Sequence, residues 1–270
     1  MKKQFSPHEI KPVLQALAQT GAVIIGGQAV NLWAERYQNE SPPWPELRPY
    51  TSFDLDVLGN RTDVLQCSQA LDAEPFFPLP SENTANSGKI VAKIGGSDFE
   101  IDFLHSPNGL SPAEVTELAL TITFETIPLK VLHPLHCVES KTVNLATLSQ
   151  DAGGRQDLKH LRLSIASLRQ HLIKLTLDGG SETLLLRWAH RIRTNSNHEL
   201  GLMATIKHGV QFQEAIPADL WQTHPGPLAD FVNKEWQEWK EENAKNTSDL
   251  RDLESWLKSL NDKGARADLP

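Results

Sequence analysis

The sequence predicts an α+β fold, in which a mixed β-sheet is flanked by helices and followed by a helical region. Up to residue 133, short runs that are apolar throughout or alternate between apolar and polar residues are typical of strands. Beyond residue 133, apolar residues recur mainly at the three-and-four spacing of helices. We therefore expect a mixed core domain of residues 1–133 and a helical domain of residues 134–270.

Composition narrows the class of protein. A chain of 270 residues with 39% hydrophobic and 22% charged residues is typical of a globular protein with one or two domains. The net charge of -8 argues against a protein that coats nucleic acid nonspecifically, but it does not exclude a local basic groove. The two cysteines have no metal-binding spacing, and no apolar stretch predicts a signal peptide or a membrane span. We expect a cytoplasmic protein that enters no membrane.

The first elements form a helix–strand–helix sequence. Residues 7–20 predict a helix, with Ser6 as its N-cap, and the apolar run 22–25 predicts a buried strand. Gly26-Gly27 ends that strand, and residues 28–37 return to a helical pattern. Residues 38–49 contain four prolines, which indicates a surface loop.

The following segments predict most of the sheet. Residues 52–58 alternate as a strand does, and residues 64–71 indicate a helix. Residues 89–94 and 99–104 predict a β-hairpin around Gly95-Gly96, and residues 120–129 predict a further strand pair with a turn near Pro128. The helical patterns of the second domain cover residues 134–145, 158–177, 182–193, a stretch around Ala204, and 227–260.

Two acids in the strand 52–58 carry the first sign of chemistry. Asp54 and Asp56 are two residues apart, so their carboxylates project from the same face of the strand. Two carboxylates this close raise each other's pKa unless a cation lies between them, and Mg²⁺ prefers such oxygen ligands. Without further context, two solvated acids on an exposed strand face are the more common explanation of such a pattern.

Two further features favour a site. Gly26-Gly27 lies between a buried strand and a helix, where glycine allows close backbone approach and a helix N-terminus favours phosphate. An ordinary tight turn is the alternative. Asp102 stands on a second strand and faces away from an apolar row, so it could join Asp54 and Asp56 in a cluster of three carboxylates.

A glycine turn, a helix, an Asp-x-Asp strand and a third aspartate in this order resemble the DNA polymerase β-like nucleotidyltransferase superfamily. The matching segments read Gly26-Gly27-Gln28, Asp54-Leu55-Asp56 and Ile101-Asp102-Phe103. More narrowly, the chain is similar to the AbiEii-type toxin nucleotidyltransferases of type IV toxin–antitoxin systems and their minimal relatives. The resemblance covers about residues 20–165.

The resemblance implies a site and a reaction. Asp54, Asp56 and Asp102 would bind Mg²⁺ or Mn²⁺ and catalyse transfer of a nucleoside monophosphate from an NTP to an acceptor hydroxyl. Nucleotide-binding residues would be the following: Gly26, Gly27, Ser52, Lys141 and Asp157. Lys141 and Asp157 could instead be a solvated helix lysine and an acid at a helix N-terminus.

The chain departs from the family pattern at several positions. Relatives usually carry Arg-x-Thr before the acid pair, where this chain has Tyr50 and Ser52, with Arg48 only nearby. Gln156 replaces a usual lysine, and His160 stands where a second aspartate is common. The connection between the glycine turn and the acids is also longer than in the minimal pattern.

The acceptor is left open by the sequence. Clustered basic side chains could steer RNA, for instance a tRNA end, or could be scattered solvated residues; they are Lys159, Arg162, Arg169, Lys174, Arg187, His190, Arg191 and Arg193. Trp236, Trp239 and Trp256 could stack on bases, but core packing or a partner surface would equally explain them.

Three classes of function therefore remain. The first is a metal-dependent nucleotidyltransferase, toxin-like, with tRNA, a protein or a small molecule as acceptor and an antitoxin as a possible partner. The second is a catalytically silent nucleotidyltransferase-fold protein that binds nucleotide or a protein partner. The third is an interaction module in which the helical tail carries the function.

Overall fold

The computed structural model describes residues 3–40, 44–79, 81–82, 84–148 and 155–248. The described residues up to His171 form one compact unit, and those from Leu172 onward form a second. The fold is α+β, because the first unit contains a mixed sheet with flanking helices and the described part of the second unit is helical. The last strand ends at Val131, close to the predicted domain boundary after residue 133. The two compact units divide 38 residues after that boundary, at His171.

A seven-stranded sheet forms the centre of the first unit. Its order is β3-β4-β5-β2-β1-β7-β6. The strands are β1 (Val23–Ile24), β2 (Asp54–Leu58), β3 (Pro75–Phe76), β4 (Asn86–Ile94), β5 (Ser97–Leu104), β6 (Leu120–Phe124) and β7 (Ile127–Val131). β2 pairs in parallel with β5 and antiparallel with β1, which itself runs parallel to β7. The three predicted strand regions with period two are all present, and the β4–β5 hairpin turns at Gly95-Gly96 as expected.

Helices of the first unit cover the sheet and connect its strands. They are α1 (Lys11–Leu17), α2 (Gly26–Tyr37), α3 (Arg61–Leu71), α4 (Pro112–Leu118), α5 (Pro134–Thr147) and α6 (Asp157–Leu177), whose last residues belong to the second unit. A short 3₁₀ helix, Trp44–Leu47, lies in the proline-rich connection. α3 illustrates how the sequence starts a helix, because Asn60 and Asp63 form a capping box at its N-terminus.

Helices make up the described secondary structure of the second unit. These are α7 (Glu182–Asn197), α8 (Glu199–His208), α9 (Ala218–Gln222) and α10 (Pro227–Phe231), with a 3₁₀ helix at Phe212–Ala215. After α10 the chain makes a π-helical segment, Val232–Trp236, and continues as an α-helix through residues 237–248. The remainder of the helix predicted for residues 227–260 lies outside the described residues.

Tryptophans hold the core of the second unit. Trp221 and Trp239 are fully buried, and their indole nitrogens donate to Thr176 Oγ1 and Ser196 Oγ, both at 2.9 Å. Core packing is thus confirmed for Trp239. Trp236 is partly buried and carries the Lys240 ammonium 3.8 Å from its ring centroid, and Trp256 lies outside the described residues.

Four local features differ from the prediction. Ser6 and Glu9 make the predicted capping hydrogen bonds, but residues 7–10 form a turn and α1 begins only at Lys11. α2 begins at Gly26, so the two glycines form its first turn instead of preceding it. The β6–β7 turn lies at residues 125–126, which places Pro128 inside β7 opposite Thr123. The helix α4 was not predicted.

Burial explains the state of the two cysteines. Cys67 and Cys137 are buried free thiols, and burial raises the pKa of both to about 12, as expected for structural cysteines. Within the described ranges, we find no helix with the length and apolar character that a bilayer crossing requires.

Candidate active site

The parallel pair β2–β5 brings the three predicted aspartates together. Asp56 is directly in register with Asp102, and Asp54 is in register with Glu100. Residues paired in this way point to the same face of a sheet. Four carboxylates therefore share one partly exposed face of two adjacent strands, which we call the acid face: Asp54, Asp56, Glu100 and Asp102.

Asp56 lies at the centre of this charge. Burial, followed by the charges of Asp54 and Asp102, raises the pKa of Asp56 from 3.8 to about 7, although Lys141 and Arg155 act in the opposite direction. Asp54 and Asp102 are thus close enough to act electrostatically on Asp56. The site therefore keeps one carboxyl group poised between its neutral and ionised forms near neutral pH.

The N-terminus of α2 meets the acid face at the glycines. Gly26 has a φ of +64°, and a Cβ atom at this residue would lie 2.2 Å from Asp56 Oδ2. A Cβ atom at Gly27 would lie 2.7 Å from Ser52 Oγ and 3.0 Å from His160 Cε1. The two glycines are therefore required by the protein's own side chains, which approach the backbone more closely than any other residue would permit.

Ser52 links the glycine turn to the acid pair. Its hydroxyl donates to Asp54 Oδ1 over 3.2 Å, and its backbone exchanges two hydrogen bonds with Phe5. Those backbone bonds, of 2.8 and 3.0 Å, fix the approach to β2 independently of the hydroxyl. Ser52 thus lies where the sequence predicted a nucleotide-binding residue, beside both Gly27 and Asp54.

An ion cluster around the buried Asp157 supplies positive charge next to the acids. Lys141 Nζ lies 3.3 Å from Asp157 Oδ1, and Arg155 Nε lies 2.7 Å from Asp157 Oδ2. Although burial opposes its ionisation, these two cations hold the pKa of Asp157 below its ordinary value. Lys141 is buried, so the interpretation as a solvated helix lysine is wrong. The Asp157 carboxylate thus fixes two cations whose charges reach Asp56.

The start of α6 holds the segment that enters β2. The Thr51 carbonyl accepts from Gln156 Nε2 at 3.1 Å and from His160 Nε2 at 3.3 Å, while Lys159 donates to the Pro49 carbonyl. Burial, with the charges of Lys141 and Lys159, lowers the pKa of His160 to about 3, so its ring is neutral. Two departures from the family pattern, Gln156 and His160, therefore anchor the loop before the acid pair.

Tyr50, in the segment that leads into β2, faces the protein interior. Tyr50 is buried, and its hydroxyl donates to the Trp44 carbonyl at 3.0 Å. Arg48 donates to Gln38 Oε1 at 2.6 Å and lies 5.6 Å from the Tyr50 ring centroid. Tyr50 therefore supports the proline-rich connection, and its hydroxyl is engaged there.

Lys89 is a site residue that the sequence did not single out. It lies on β4 in register with Asp102, with its Nζ 3.1 Å from Glu100 Oε2 and 3.9 Å from Asp102 Oδ1. The alternation of β4 could have placed Lys89 on the same side as Asp102, but only once the hairpin register was known.

The carboxylates of the acid face have the right chemistry for a hard divalent cation. Carboxylate oxygens are the ligands that Mg²⁺ and Mn²⁺ prefer, and the raised pKa of Asp56 reports negative charge that a cation would relieve. Among the described residues, no three His, Cys, Asp or Glu side chains are already arranged to hold a metal ion.

The predicted basic cluster in the second unit is partly neutralised. Arg193 Nη2 lies 2.9 Å from Glu242 Oε2, and His190 Nδ1 lies 3.4 Å from Glu235 Oε2. Lys174 similarly pairs with Asp178 at 3.3 Å. These acids reduce the positive field that the sequence pattern alone indicated.

Comparisons with known proteins add little to this geometry. No model of a protein family matches the chain, and no curated protein matches it. Among solved structures, the chain is similar to the crystal structure of JHP933 from Helicobacter pylori, with a TM-score of 0.38 and 13% sequence identity. The alignment covers 94% of this chain and 95% of that one. So distant a likeness carries no inference about function.

Proposed function

We propose that this chain is a metal-dependent nucleotidyltransferase of the DNA polymerase β-like superfamily, similar to the AbiEii-type toxins. The observation that carries the proposal is the placement of Asp54, Asp56 and Asp102 on one face of β2 and β5, beside the glycine-started helix α2. A structural role alone gives no reason to gather three carboxylates on adjacent strands, because their mutual repulsion destabilises the fold.

The three aspartates would hold Mg²⁺ or Mn²⁺. Such an ion, when bound, neutralises the triphosphate and stabilises the leaving pyrophosphate. The donor set fits this ion because it consists of carboxylate oxygens, and because the charge on Asp56 is unfavourable in its absence.

The reaction is an in-line displacement at the α-phosphorus of an NTP. The acceptor hydroxyl oxygen forms the new bond to phosphorus, the bond to the pyrophosphate oxygen breaks, and pyrophosphate leaves. Asp102 would accept the proton of the hydroxyl. Asp54 and Asp56 would position the reacting groups.

Lys141 and Arg155 would stabilise the phosphates. Both are already oriented by Asp157, so their guanidinium and ammonium groups lose little conformational freedom when an anion arrives. Ser52 would orient Asp54 through its hydrogen bond, and Gly26 and Gly27 would keep the helix N-terminus close to the carboxylates.

The acceptor belongs to the same proposal. A tRNA end or a protein hydroxyl are the two candidates, and a cognate antitoxin would be the expected protein partner of a toxin-like enzyme. Arg193 and His190 each lie against a glutamate, which weakens the argument for RNA steering by that part of the second unit. A nucleic-acid acceptor would show a strong dependence of its affinity on salt, whereas a protein acceptor need not.

Transfer of label from α-³²P-NTPs to RNA or protein, with and without Mg²⁺, tests the proposal. We expect label in one acceptor fraction, and loss of about 10²–10⁴-fold of the rate for Asp102→Asn, as for removal of a catalytic base. Asp98→Asn is the matched control, because Asp98 lies on the same strand but pairs with Lys93 at the exposed end of the hairpin. Equal activity in both variants would contradict the proposal.

A catalytically silent, nucleotide-binding protein is the second candidate. It is favoured by one observation, namely that the described acids are not already arranged to hold a metal while Lys141 and Arg155 are ordered for an anion. Nucleotide binding that is unaffected by Mg²⁺ and by Asp54→Ala, without transfer of label, would establish this candidate. No nucleotide binding at all would favour an interaction module.

A further inference from the structure

The acid face carries its own cation. Lys89 projects from β4 toward β5, where its Nζ contacts Glu100 Oε2 at 3.1 Å and Asp102 Oδ1 at 3.9 Å. Both contacts are to β5, and one of these acids is a predicted metal ligand. An ammonium group thus occupies the neighbourhood in which a divalent cation would have to bind.

The position is fixed by register. β4 and β5 are antiparallel, with Lys89 opposite Asp102 and Lys93 opposite Asp98. Lys89 and Asp102 are only 34% and 21% exposed, whereas Lys93 and Asp98 at the hairpin end are 73% and 60% exposed. The same pair of residue types therefore occurs twice on one hairpin, once at the site and once in solvent.

Opposite sides of the acid face have different kinds of cation. Lys141 is buried and held by Asp157, so it can stay in place while a ligand binds. Lys89 is held by the acid face itself, through Glu100 and Asp102. A divalent ion on Asp102 would repel the Lys89 ammonium, and the flexible lysine side chain allows it to move toward solvent.

We infer that Lys89 is a positioning residue that acts as an internal counter-ion of Asp102 and Glu100 and is displaced when a divalent cation binds. The inference rests on the proposed function, since it assumes that Asp102 belongs to a metal site. Lys89 would lower the affinity of the site for metal, and would reduce the repulsion among the carboxylates in the metal-free protein.

Mn²⁺ binding to the full chain tests this inference without reference to activity. Free Mn²⁺ is measured by electron paramagnetic resonance at pH 8 for the wild type, Lys89→Met and Lys89→Arg. Repulsion between a unit charge and a divalent ion a few ångströms away predicts that Lys89→Met tightens Kd by about three- to tenfold. Lys89→Arg keeps the charge and should leave Kd within about twofold of the wild type.

Lys93→Met is the matched control, because it removes the same charge from the same strand at the exposed pair, and its Kd should not change. Lys89→Gln replaces Lys89→Met if the latter fails to fold. If the neutral variant, Lys89→Met or its replacement Lys89→Gln, binds Mn²⁺ no more tightly than the wild type does, the inference is overturned while the metal site stands. If neither the wild type nor Lys89→Met shows Mn²⁺ binding that Asp54→Asn weakens, both the metal site and the inference are overturned.

Discussion

The two faces of the β2–β5 pair contrast within the same few residues. On one face Leu55, Val57, Ile101 and Phe103 are fully buried in the hydrophobic core. On the other, Asp54, Asp56, Glu100 and Asp102 form the acid face. Because side chains alternate along a strand, each aspartate is the immediate sequence neighbour of a core residue.

This contrast separates stability from chemistry. The core face gains free energy from apolar burial, whereas the acid face collects charges that repel one another. Substitutions on the core face should therefore destabilise the fold, while substitutions on the acid face should change function with little loss of stability.

The largest expected effect is on the core face. Phe103→Ala removes a fully buried aromatic side chain from β5 and should lower the free energy of unfolding by about 3–5 kcal/mol. Its neighbour Asp102 supplies the control, since Asp102→Asn should change stability by less than about 1 kcal/mol. Urea denaturation measures both. Equal losses would mean that the acid face is as structural as the core.

The next effect has the opposite sign. The folded-state pKa of Asp56, about 7, lies above its ordinary value of 3.8, so the folded protein binds the proton more tightly than the unfolded chain does. The resulting stabilisation is fully present below pH 3.8 and is lost as the pH rises through about 7. At pH 8, Asp56→Asn should therefore raise the free energy of unfolding by roughly 1–3 kcal/mol.

The pH dependence gives the control for Asp56. The difference in unfolding free energy between Asp56→Asn and the wild type should grow between pH 5 and pH 8, because only the wild type loses its proton there. Saturating Mg²⁺ should reduce that difference, since a bound cation favours the ionised carboxylate. A difference that does not vary with pH would show that neither burial nor the neighbouring acids disfavour the ionised form of Asp56.

Gly26 tests how closely the acid face touches α2. Gly26→Ala places a Cβ atom 2.2 Å from Asp56 Oδ2 at a φ of +64°, and should cost roughly 1–3 kcal/mol of stability. Gly209 has a φ of +65° with no atom within 4 Å of the added Cβ, so Gly209→Ala measures the backbone strain alone. The excess for Gly26→Ala reports the crowding, and it should shrink in an Asp56→Ala background.

Much of this contrast could be predicted from the sequence. The alternation around Asp54 and Asp56 indicates a strand with one apolar face, because burial imposes a period of two. The same reasoning placed Asp102 opposite an apolar row. Glycines after a buried strand also indicated a close approach, although the structure places Asp56 and Ser52 there.

The rest depends on contacts that are distant in the chain. The register that sets Lys89 opposite Asp102, and Asp102 beside Asp56, follows from strand pairing that no local pattern encodes. His160 and Thr51 are 109 residues apart, so their hydrogen bond has no local signal either. α4 has only seven residues, too few for a clear helical period.

The smallest expected change in stability is at Ser52, whose hydroxyl donates to Asp54 of the acid face. Ser52→Ala removes one hydrogen bond to Asp54 but leaves both backbone bonds to Phe5, so it should cost at most about 1 kcal/mol of stability. If Ser52 orients Asp54 for the nucleotide, the same variant should weaken Mg²⁺–NTP binding by about three- to tenfold in a calorimetric titration. Ser68→Ala, at a buried serine of α3 away from the acid face, is the control for the loss of a hydroxyl group. A loss of stability above about 2 kcal/mol would assign Ser52 to the core instead, and unchanged nucleotide affinity would remove it from the site.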